Sequence, residues 1–391
     1  MRWCICRASA TLAAMDARIV KLIAAVLKKA DAEHHADAVL RRELKTATGL
    51  SRVSARLISR TIFAYYRWQG WLNAAAPLAT QLDEAMRLNE EFALNPTEFS
   101  DIELAERAVP AWAREHMELP PAWVRTIQSE PRLWLRAKKG QGRDLAERLG
   151  ECWVSDDPLL ADAVEYQGGE DLFRTPEFHA GDFELQDLGS QIVGLLCAPQ
   201  PGQTWWDACA GEGGKTLHLS DLMQNKGLLW ASDRAEWRLK KLKQRAGRAK
   251  CFNYRAALWD GSAKLPTRTK FDGVLVDAPC SGIGTWQRNP HARWTTTAND
   301  VMELSAIQSD LLQHAATALK PGGKLIYAVC TLSRLETEAV ANQFTQSVTG
   351  FAPLPLSHSL GKQGVAENQL WLWPQDTGGN GMFVAAWQKQ S

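Results

Sequence analysis

The second half of the chain alternates short apolar runs, typical of strands, with patterns typical of helices. The predicted strands occupy 204–209, 228–233, 251–259, 271–279, 324–330 and 381–389. The clearest helical patterns between them occupy 234–247, 301–320 and 335–348. Alternation of this kind predicts an α/β fold, in which a mostly parallel sheet carries helices on both faces.

Four successive predicted strands end in an aspartate, at Asp207, Asp233, Asp260 and Asp277. One such aspartate is usually a turn residue or a helix cap. The carboxyl ends of parallel strands, however, meet at one edge of the sheet, where open α/β sheets bind ligands. Together with a glycine loop that follows the first of these strands, the four aspartates predict a binding site for an adenosine-containing cofactor.

A glycine loop, DACAGEGGKT at 207–216, follows the first of these strands. A triphosphate-binding loop would need glycine at 209, where Cys209 stands. Asp233 lies 19 residues after Gly214, the spacing of a residue that accepts hydrogen bonds from ribose hydroxyls. Clustered carboxylates repel pyrophosphate but attract a cationic sulfonium. The predicted cofactor is therefore S-adenosyl-L-methionine.

Two cysteines also follow strand ends, Cys280 after Asp277-Ala-Pro and Cys330 after KLIYAV. If these strands are neighbours, both thiols face the cofactor cleft. A thiolate is a strong nucleophile. Its addition to carbon-6 of a cytosine makes carbon-5 reactive enough to accept a methyl group, so the two thiols favour a cytosine-5 methyltransferase.

The motifs DACAGEGGKT, DAPCSGIGTWQRNPHARW, YAVCTLSRLETEAV and GGNGMFVAAW resemble those of the RsmB/Sun/Nop family of RNA cytosine-5 methyltransferases. The resemblance implies a Rossmann-like catalytic domain over 184–391. It also implies a small α+β RNA-binding subdomain over 121–183. Residues 16–120 would form an all-helical, NusB-like RNA-binding domain with an acidic linker.

By this resemblance, Cys330 is the covalent nucleophile, Cys280 assists product release, and Asp277 lies beside the methionine moiety and the target base. Asp233 would hold the ribose and Asp260 the adenine. The loop would wrap the cofactor with Cys209, Ala210, Gly211, Glu212, Gly213, Gly214 and Lys215. The chain departs from the family pattern at Glu212, which replaces a proline, and at Val329, which replaces Thr or Ser.

RNA contacts are predicted from charge. Residues 1–73 hold 13 Lys/Arg against 5 Asp/Glu, whereas residues 74–120 hold 3 against 10. These charges fit either an RNA contact or solvated helical faces. After the Pro-Cys motif, four side chains are expected to line the approach of the RNA, unless they belong to a solvated loop: Arg288, His291, Arg293 and Trp294.

The remaining composition predicts a cytoplasmic monomer without a metal site or membrane span. The eight cysteines have neither zinc-type spacing nor the pattern of a disulfide scaffold, and Cys4-x-Cys6 is isolated. The first residues lack a secretory signal, and Met15 is an alternative start.

Three other functions stay open at this stage. The NusB-like front domain favours small-subunit ribosomal RNA as the substrate, and a tRNA is the alternative. A methyltransferase acting on a small molecule would leave the two thiols and the helical front domain unexplained. A non-catalytic RNA-binding assembly factor would be favoured by loss of the nucleophile, but Cys330 is present.

Overall fold

A computed structural model describes residues 16–364 and 366–391, so Cys4, Cys6 and Met15 lie outside the described residues. The chain forms two compact units. The helical unit contains the described residues up to Glu130 together with Trp286–Thr297. The second unit contains Pro131–Thr285 and Ala298–Ser391, and we call it the catalytic unit because it holds most of the predicted catalytic domain. The chain passes from the first unit to the second between Glu130 and Pro131, and the predicted domain boundaries at 120 and 183 stay predictions.

The described residues contain sixteen α-helices and thirteen strands. The helices are α1 (Ala17–Lys29), α2 (Ala36–Thr46), α3 (Arg52–Trp68), α4 (Leu78–Leu94), α5 (Asp101–Ala108), α6 (Ala113–His116), α7 (Pro121–Ile127), α8 (Gly142–Leu149), α9 (Pro176–Ala180), α10 (Leu188–Cys197), α11 (Gly214–Leu222), α12 (Glu236–Ala249), α13 (Ala292–Thr295), α14 (Ala298–Ala316), α15 (Glu338–Ser347) and α16 (Pro374–Thr377). The strands are β1 (Leu133–Ala137), β2 (Cys152–Val154), β3 (Ala163–Tyr166), β4 (Phe183–Leu185), β5 (Thr204–Asp207), β6 (Leu228–Asp233), β7 (Tyr254–Leu258), β8 (Phe271–Asp277), β9 (Leu319–Val329), β10 (Phe351–Pro353), β11 (Lys362–Gln363), β12 (Gln369–Leu372) and β13 (Met382–Lys389).

The helical unit is built from amphipathic helices, as the sequence predicts for 16–120. In α1, Ile19, Ile23 and Val26 recur at steps of three and four residues, so they lie on one face of the helix and are buried. They join a core cluster that includes Ile58 and Ile62 of α3. The hydrophobic spacing therefore explains both the helices and their packing.

The segment 286–297 completes the core of the helical unit. Arg293 is fully buried, and its guanidinium donates to the carbonyls of Ala108 (3.1 Å) and Ile127 (2.9 Å) and to Oε1 of Gln128 (2.7 Å). His291 is also buried, at 2% exposure. The expectation that these two residues line the RNA approach is wrong, because their side chains pack inside the helical unit.

The other two residues that were expected to line the RNA approach, Trp294 and Arg288, lie in different environments. The indole nitrogen of Trp294 donates to the carbonyl of Tyr66 at 2.6 Å, so this side chain is also held within the helical unit. Arg288 is exposed, and its contact with RNA stays a prediction.

The catalytic unit contains two sheets. The first is antiparallel, in the order β2-β3-β1-β4. The second has the order β11-β12-β13-β9-β8-β5-β6-β7, with β10 paired to β13. Its five strands from β9 to β7 are parallel, whereas β10 to β13 pair antiparallel. The α/β prediction is confirmed, with a mixed rather than mostly parallel sheet.

Helices cover both faces of the larger sheet. Successive residues of a strand point to opposite faces. In β8, Val274 and Val276 belong to a core cluster with residues of α14 and α15, whereas Leu275 belongs to a second cluster with residues of α10 and α11. From β5 the chain runs outward through β6 to β7 and then returns to β8 on the other side of β5. This reversal opens a crevice at the carboxyl ends of β5 and β8.

Candidate active site

The glycine loop between β5 and α11 is tied to the end of β6. Ala210 N–H donates to the carbonyl of Ser232 at 2.7 Å, and Gly211 N–H donates to Oδ2 of Asp233 at 3.0 Å. Gly213 has a φ of +90°, in the left-handed region that favours glycine, and a Cβ there would lie 2.7 Å from Cγ of Leu242. The loop therefore needs glycine at this position.

A cavity of about 460 Å³ lies at this edge of the sheet, within the size range of small-molecule sites. Asp233, Asp260 and Asp277 line it together with apolar side chains that include Ile307 and Leu311. The predicted loop residues that also line it are Cys209, Ala210, Gly211, Glu212, Gly214 and Lys215. Carboxylates together with apolar side chains suit a cationic ligand that carries a purine base.

Asp207, the first of the four strand-end aspartates, does not line the cavity. It is fully buried, and its Oδ2 accepts a hydrogen bond from the hydroxyl of Thr216 at 2.6 Å. Its Oδ1 has no hydrogen-bond partner among the described residues. Burial, together with the nearby carboxylate of Asp277, raises the pKa of Asp207 to about 7. Asp207 is thus part of the support of the loop rather than of its binding surface.

Lys215 and Asp277 form an ion pair in the cavity, with 2.7 Å between Nζ and Oδ2. Nζ also donates to the hydroxyl of Ser190 at 3.3 Å. Burial lowers the pKa of Lys215, but the carboxylate of Asp277 more than offsets this, so the net shift is upward. The sequence indicated both residues singly, but gave no signal of the ion pair.

Several lining residues were missed by sequence reasoning. Arg238 has a guanidinium nitrogen 3.7 Å from Oδ2 of Asp233, so the cavity is not purely acidic. Ile307 lies on α14, far along the chain from the glycine loop, and no local motif marks it. Asp187 precedes α10 in the stretch ELQDLGSQIVGLL. This stretch resembles the family's sequence before the glycine loop, and that resemblance was the available signal.

The two departures from the family pattern have local explanations. The carboxylate of Glu212 is 2.6 Å from Nζ of Lys241, so its negative charge is paired. Val329 is fully buried in β9 and is paired with Phe383 of β13. Its methyl groups fill the core beside the strand end.

The two thiols meet, as the sequence predicts. Asp277 of β8 is in register with Ala328 of β9, and Ala278 N–H continues the ladder to the carbonyl of Ala328 at 3.0 Å. Because the strands are parallel neighbours, the residues that follow them leave the sheet together. Sγ of Cys280 and Sγ of Cys330 are 3.2 Å apart.

The environment of Cys280 favours its protonated form. The hydrogen bond with Cys330 and burial raise the pKa of Cys280 well above its usual range, and the charge of Glu336 acts in the same direction. A thiol at this position can therefore donate a hydrogen bond to its neighbour. The individual roles of the two cysteines stay predictions.

The order of the larger sheet, with a glycine loop after β5, acidic strand ends and an adjacent cavity, is that of an α/β methyltransferase. The model of the 16S rRNA methyltransferase RsmB/F family matches residues 194–388. The chain belongs to this family through that methyltransferase domain.

Individual relatives agree with this assignment. The chain is 36% identical over 225 residues to a probable ribosomal RNA small subunit methyltransferase B of Synechocystis, covering 56% of this chain and 50% of that protein. It is 37% identical over 167 residues to the tRNA (cytosine(72)-C(5))-methyltransferase NSUN6 of Mus musculus, covering 39% and 34%. The chain thus spans half or less of the length of these curated relatives.

A solved structure, PH0851, has the same fold along nearly the whole chain. Its TM-score is 0.78 at 22% identity, over 95% of this chain and 97% of that one. Within the residues that the structure describes, no helix has the length and apolar character needed to cross a membrane. The same residues contain no group of three or more potential ligands that could hold a metal ion.

Proposed function

We propose that this protein transfers a methyl group from S-adenosyl-L-methionine to carbon-5 of a cytosine in RNA. The observation that carries the proposal is the 3.2 Å separation of the Cys280 and Cys330 sulfurs beside the carboxylate-lined cavity. Two convergent thiols serve no purpose in a methyltransferase that acts on an ordinary nucleophilic substrate.

The residues of the cavity fit the cofactor. Asp233 would accept hydrogen bonds from the ribose hydroxyls, and Asp260 would accept from the adenine. Ile307 and Leu311 would pack against the purine ring. When bound, the cofactor supplies an electrophilic methyl group on a positively charged sulfur. The carboxylate of Asp277 would face that charge.

Catalysis would begin with Cys330. Its thiolate forms a bond to carbon-6 of the cytosine, which moves electron density to carbon-5. Carbon-5 then accepts the methyl group. A base removes the proton from carbon-5, and the electron pair left behind expels the Cys330 thiolate. Cys280 would assist this release, since its thiol lies in contact with the departing sulfur.

The ion pair of Lys215 and Asp277 would position the target base. Both groups line the cavity on the side from which β8 leads to Cys280. A lysine ammonium donates hydrogen bonds and a carboxylate accepts them, so together they complement the carbonyl and amino groups of a cytosine.

The substrate we favour is small-subunit ribosomal RNA, in keeping with the names of the bacterial relatives. The helical unit, proposed to be NusB-like, and the four-stranded sheet would bind this RNA. The proposed setting is a cytoplasmic monomer. A tRNA is the second candidate, because the chain is also similar, over 167 residues, to a tRNA methyltransferase of the mouse.

The first experiment tests the chemistry. Wild-type protein should transfer labelled methyl groups from S-adenosyl-L-methionine to cytosine in total RNA. Cys330→Ala should abolish transfer, whereas Cys280→Ala should accumulate a covalent protein–RNA adduct. Cys152→Ala, in β2 of the other sheet, is the matched control and should behave as wild type. Full activity of Cys330→Ala would refute the proposed nucleophile.

The second experiment identifies the substrate. Bisulfite sequencing of total RNA from a deletion strain should show a cytosine that loses its methylation in small-subunit ribosomal RNA. Loss confined to a tRNA would support the second candidate instead. An unchanged methylation pattern in all RNAs would contradict the assigned activity.

A further inference from the structure

A buried carboxylate lies behind the two thiols. Glu336 follows β9 and is fully buried. Its Oε1 accepts hydrogen bonds from Ser281 N–H (2.8 Å) and from the amide of Gln308 (3.0 Å). Its Oε2 accepts from the hydroxyls of Ser281 and Thr331, the latter at 3.0 Å. Four donors thus converge on one carboxylate.

These hydrogen bonds join the two segments that carry the thiols. Ser281 follows Cys280, and Thr331 follows Cys330, so Glu336 accepts from the neighbour of each cysteine. Its own segment is held in turn by Tyr327, whose hydroxyl donates to the Glu336 carbonyl at 2.6 Å. Because the strands β8 and β9 end before the cysteines, the sheet alone does not fix the separation of the sulfurs.

The donors around Glu336 suit an ionised side chain. A backbone N–H and an amide N–H can only donate hydrogen bonds. A proton on Oε1 would therefore point at two donors and could not form a hydrogen bond with either. Burial raises the pKa of Glu336 above its usual range, and the hydrogen bonds from Ser281, Gln308 and Thr331 offset only part of that rise. A fully hydrogen-bonded buried carboxylate is a fixed negative charge in a region of low dielectric.

Charges of opposite sign therefore act on the two thiols. Glu336 is among the groups that act electrostatically on Cys280. Lys215 acts electrostatically on Cys330. A negative charge disfavours a thiolate and a positive charge favours it. The charge of Glu336 thus favours the protonated form of Cys280.

We propose that Glu336 is a positioning residue that holds the two cysteine segments together and, through its charge, makes Cys330 rather than Cys280 the reactive thiol. This inference rests on the proposed function for its biological meaning, since it explains how one of two touching thiols becomes the nucleophile. Glu336 itself touches neither the base nor the cofactor in this scheme.

The test is selective alkylation of the protein alone. Wild type is treated briefly with iodoacetamide near neutral pH, and peptide mass spectrometry measures labelling at Cys280 and Cys330. A preference of about tenfold for Cys330 is expected, because one nearby charge changes the ratio of thiol to thiolate by about a factor of ten. In Glu336→Gln the preference should fall below about threefold. Glu336→Asp, which keeps the charge, should retain it.

Asp272→Asn is the matched control, because Asp272 also accepts a backbone hydrogen bond, from Thr204 N–H at 2.8 Å, but at the opposite end of β8. It should keep the wild-type preference. An unchanged preference in folded Glu336→Gln would overturn the proposal and leave Glu336 a purely structural residue. Equal labelling in wild type would overturn it as well.

If Glu336→Gln does not fold, Ser281→Ala replaces it. This variant removes one hydroxyl that donates a hydrogen bond to the carboxylate and so partly offsets its negative charge. The labelling preference for Cys330 should therefore hold or rise. Equal labelling of the two cysteines would refute the inference. Since alkylation needs neither RNA nor methyl donor, its outcome is independent of methyl transfer. Inactive protein with selective Cys330 labelling would count against the proposed function alone.

Discussion

The buried carboxyl group of Asp207 should make the catalytic unit less stable as pH rises. Asp207 is fully buried below the glycine loop, and only its Oδ2 has a hydrogen-bond partner among the described residues. The substitution Asp207→Asn keeps the size of the side chain and the contact with Thr216. It removes the group that must ionise in an apolar environment.

The magnitude follows from the pKa of this group. Its pKa is about 7 in the folded protein, against an ordinary value of 3.8. A raised folded pKa means that the folded state binds the proton more tightly. The resulting stabilisation is complete below the unfolded pKa and is lost as pH rises through the folded pKa. It amounts to about 4 kcal/mol in total, of which about 3 kcal/mol is lost between about pH 5 and about pH 8.

The assay is denaturant unfolding of the cofactor-free protein, followed by circular dichroism at a series of pH values. Between about pH 5 and about pH 8, the free energy of unfolding of wild type should fall by about 3 kcal/mol more than that of Asp207→Asn. Subtracting the two curves removes the contributions of all other groups. Parallel curves for the two proteins would refute the reasoning, whatever their absolute stabilities.

Three further substitutions test other parts of the structure. Arg293→Met should lower the free energy of unfolding of the helical unit by about 3–5 kcal/mol, because it leaves buried carbonyls without donors, and thermal unfolding measures this. Gly213→Ala should weaken S-adenosyl-L-methionine binding at least about tenfold in calorimetry, because φ is +90° and the new Cβ meets Leu242. Lys215→Met should reduce methyl transfer by about a hundredfold or more, because Asp277 loses its partner; a near-normal rate would contradict the role of this ion pair.

The sequence determined the parts of the catalytic unit that depend on local pattern. Period-two apolar runs and helical spacing located the strands of the larger sheet that bear the site, although β7 and β9 have shifted ends. The glycine at 213 was predictable because a positive φ is a local property. The short strands β2, β3, β4, β10, β11 and β12 were not predicted, because runs of two to four residues carry too little periodicity to separate from loops.

Only the tertiary structure decided what the strand-end residues do. Asp207 and Asp277 stand in the same sequence context, but one is buried and the other is paired with Lys215 in the cavity. Arg293 reads as an RNA contact in the sequence and is a core residue of the helical unit. The contact of Cys280 with Cys330, which are 50 residues apart, depends on β8 and β9 being parallel neighbours. Residue type and spacing fix local conformation, whereas strand order and burial arise from the packing of the whole chain.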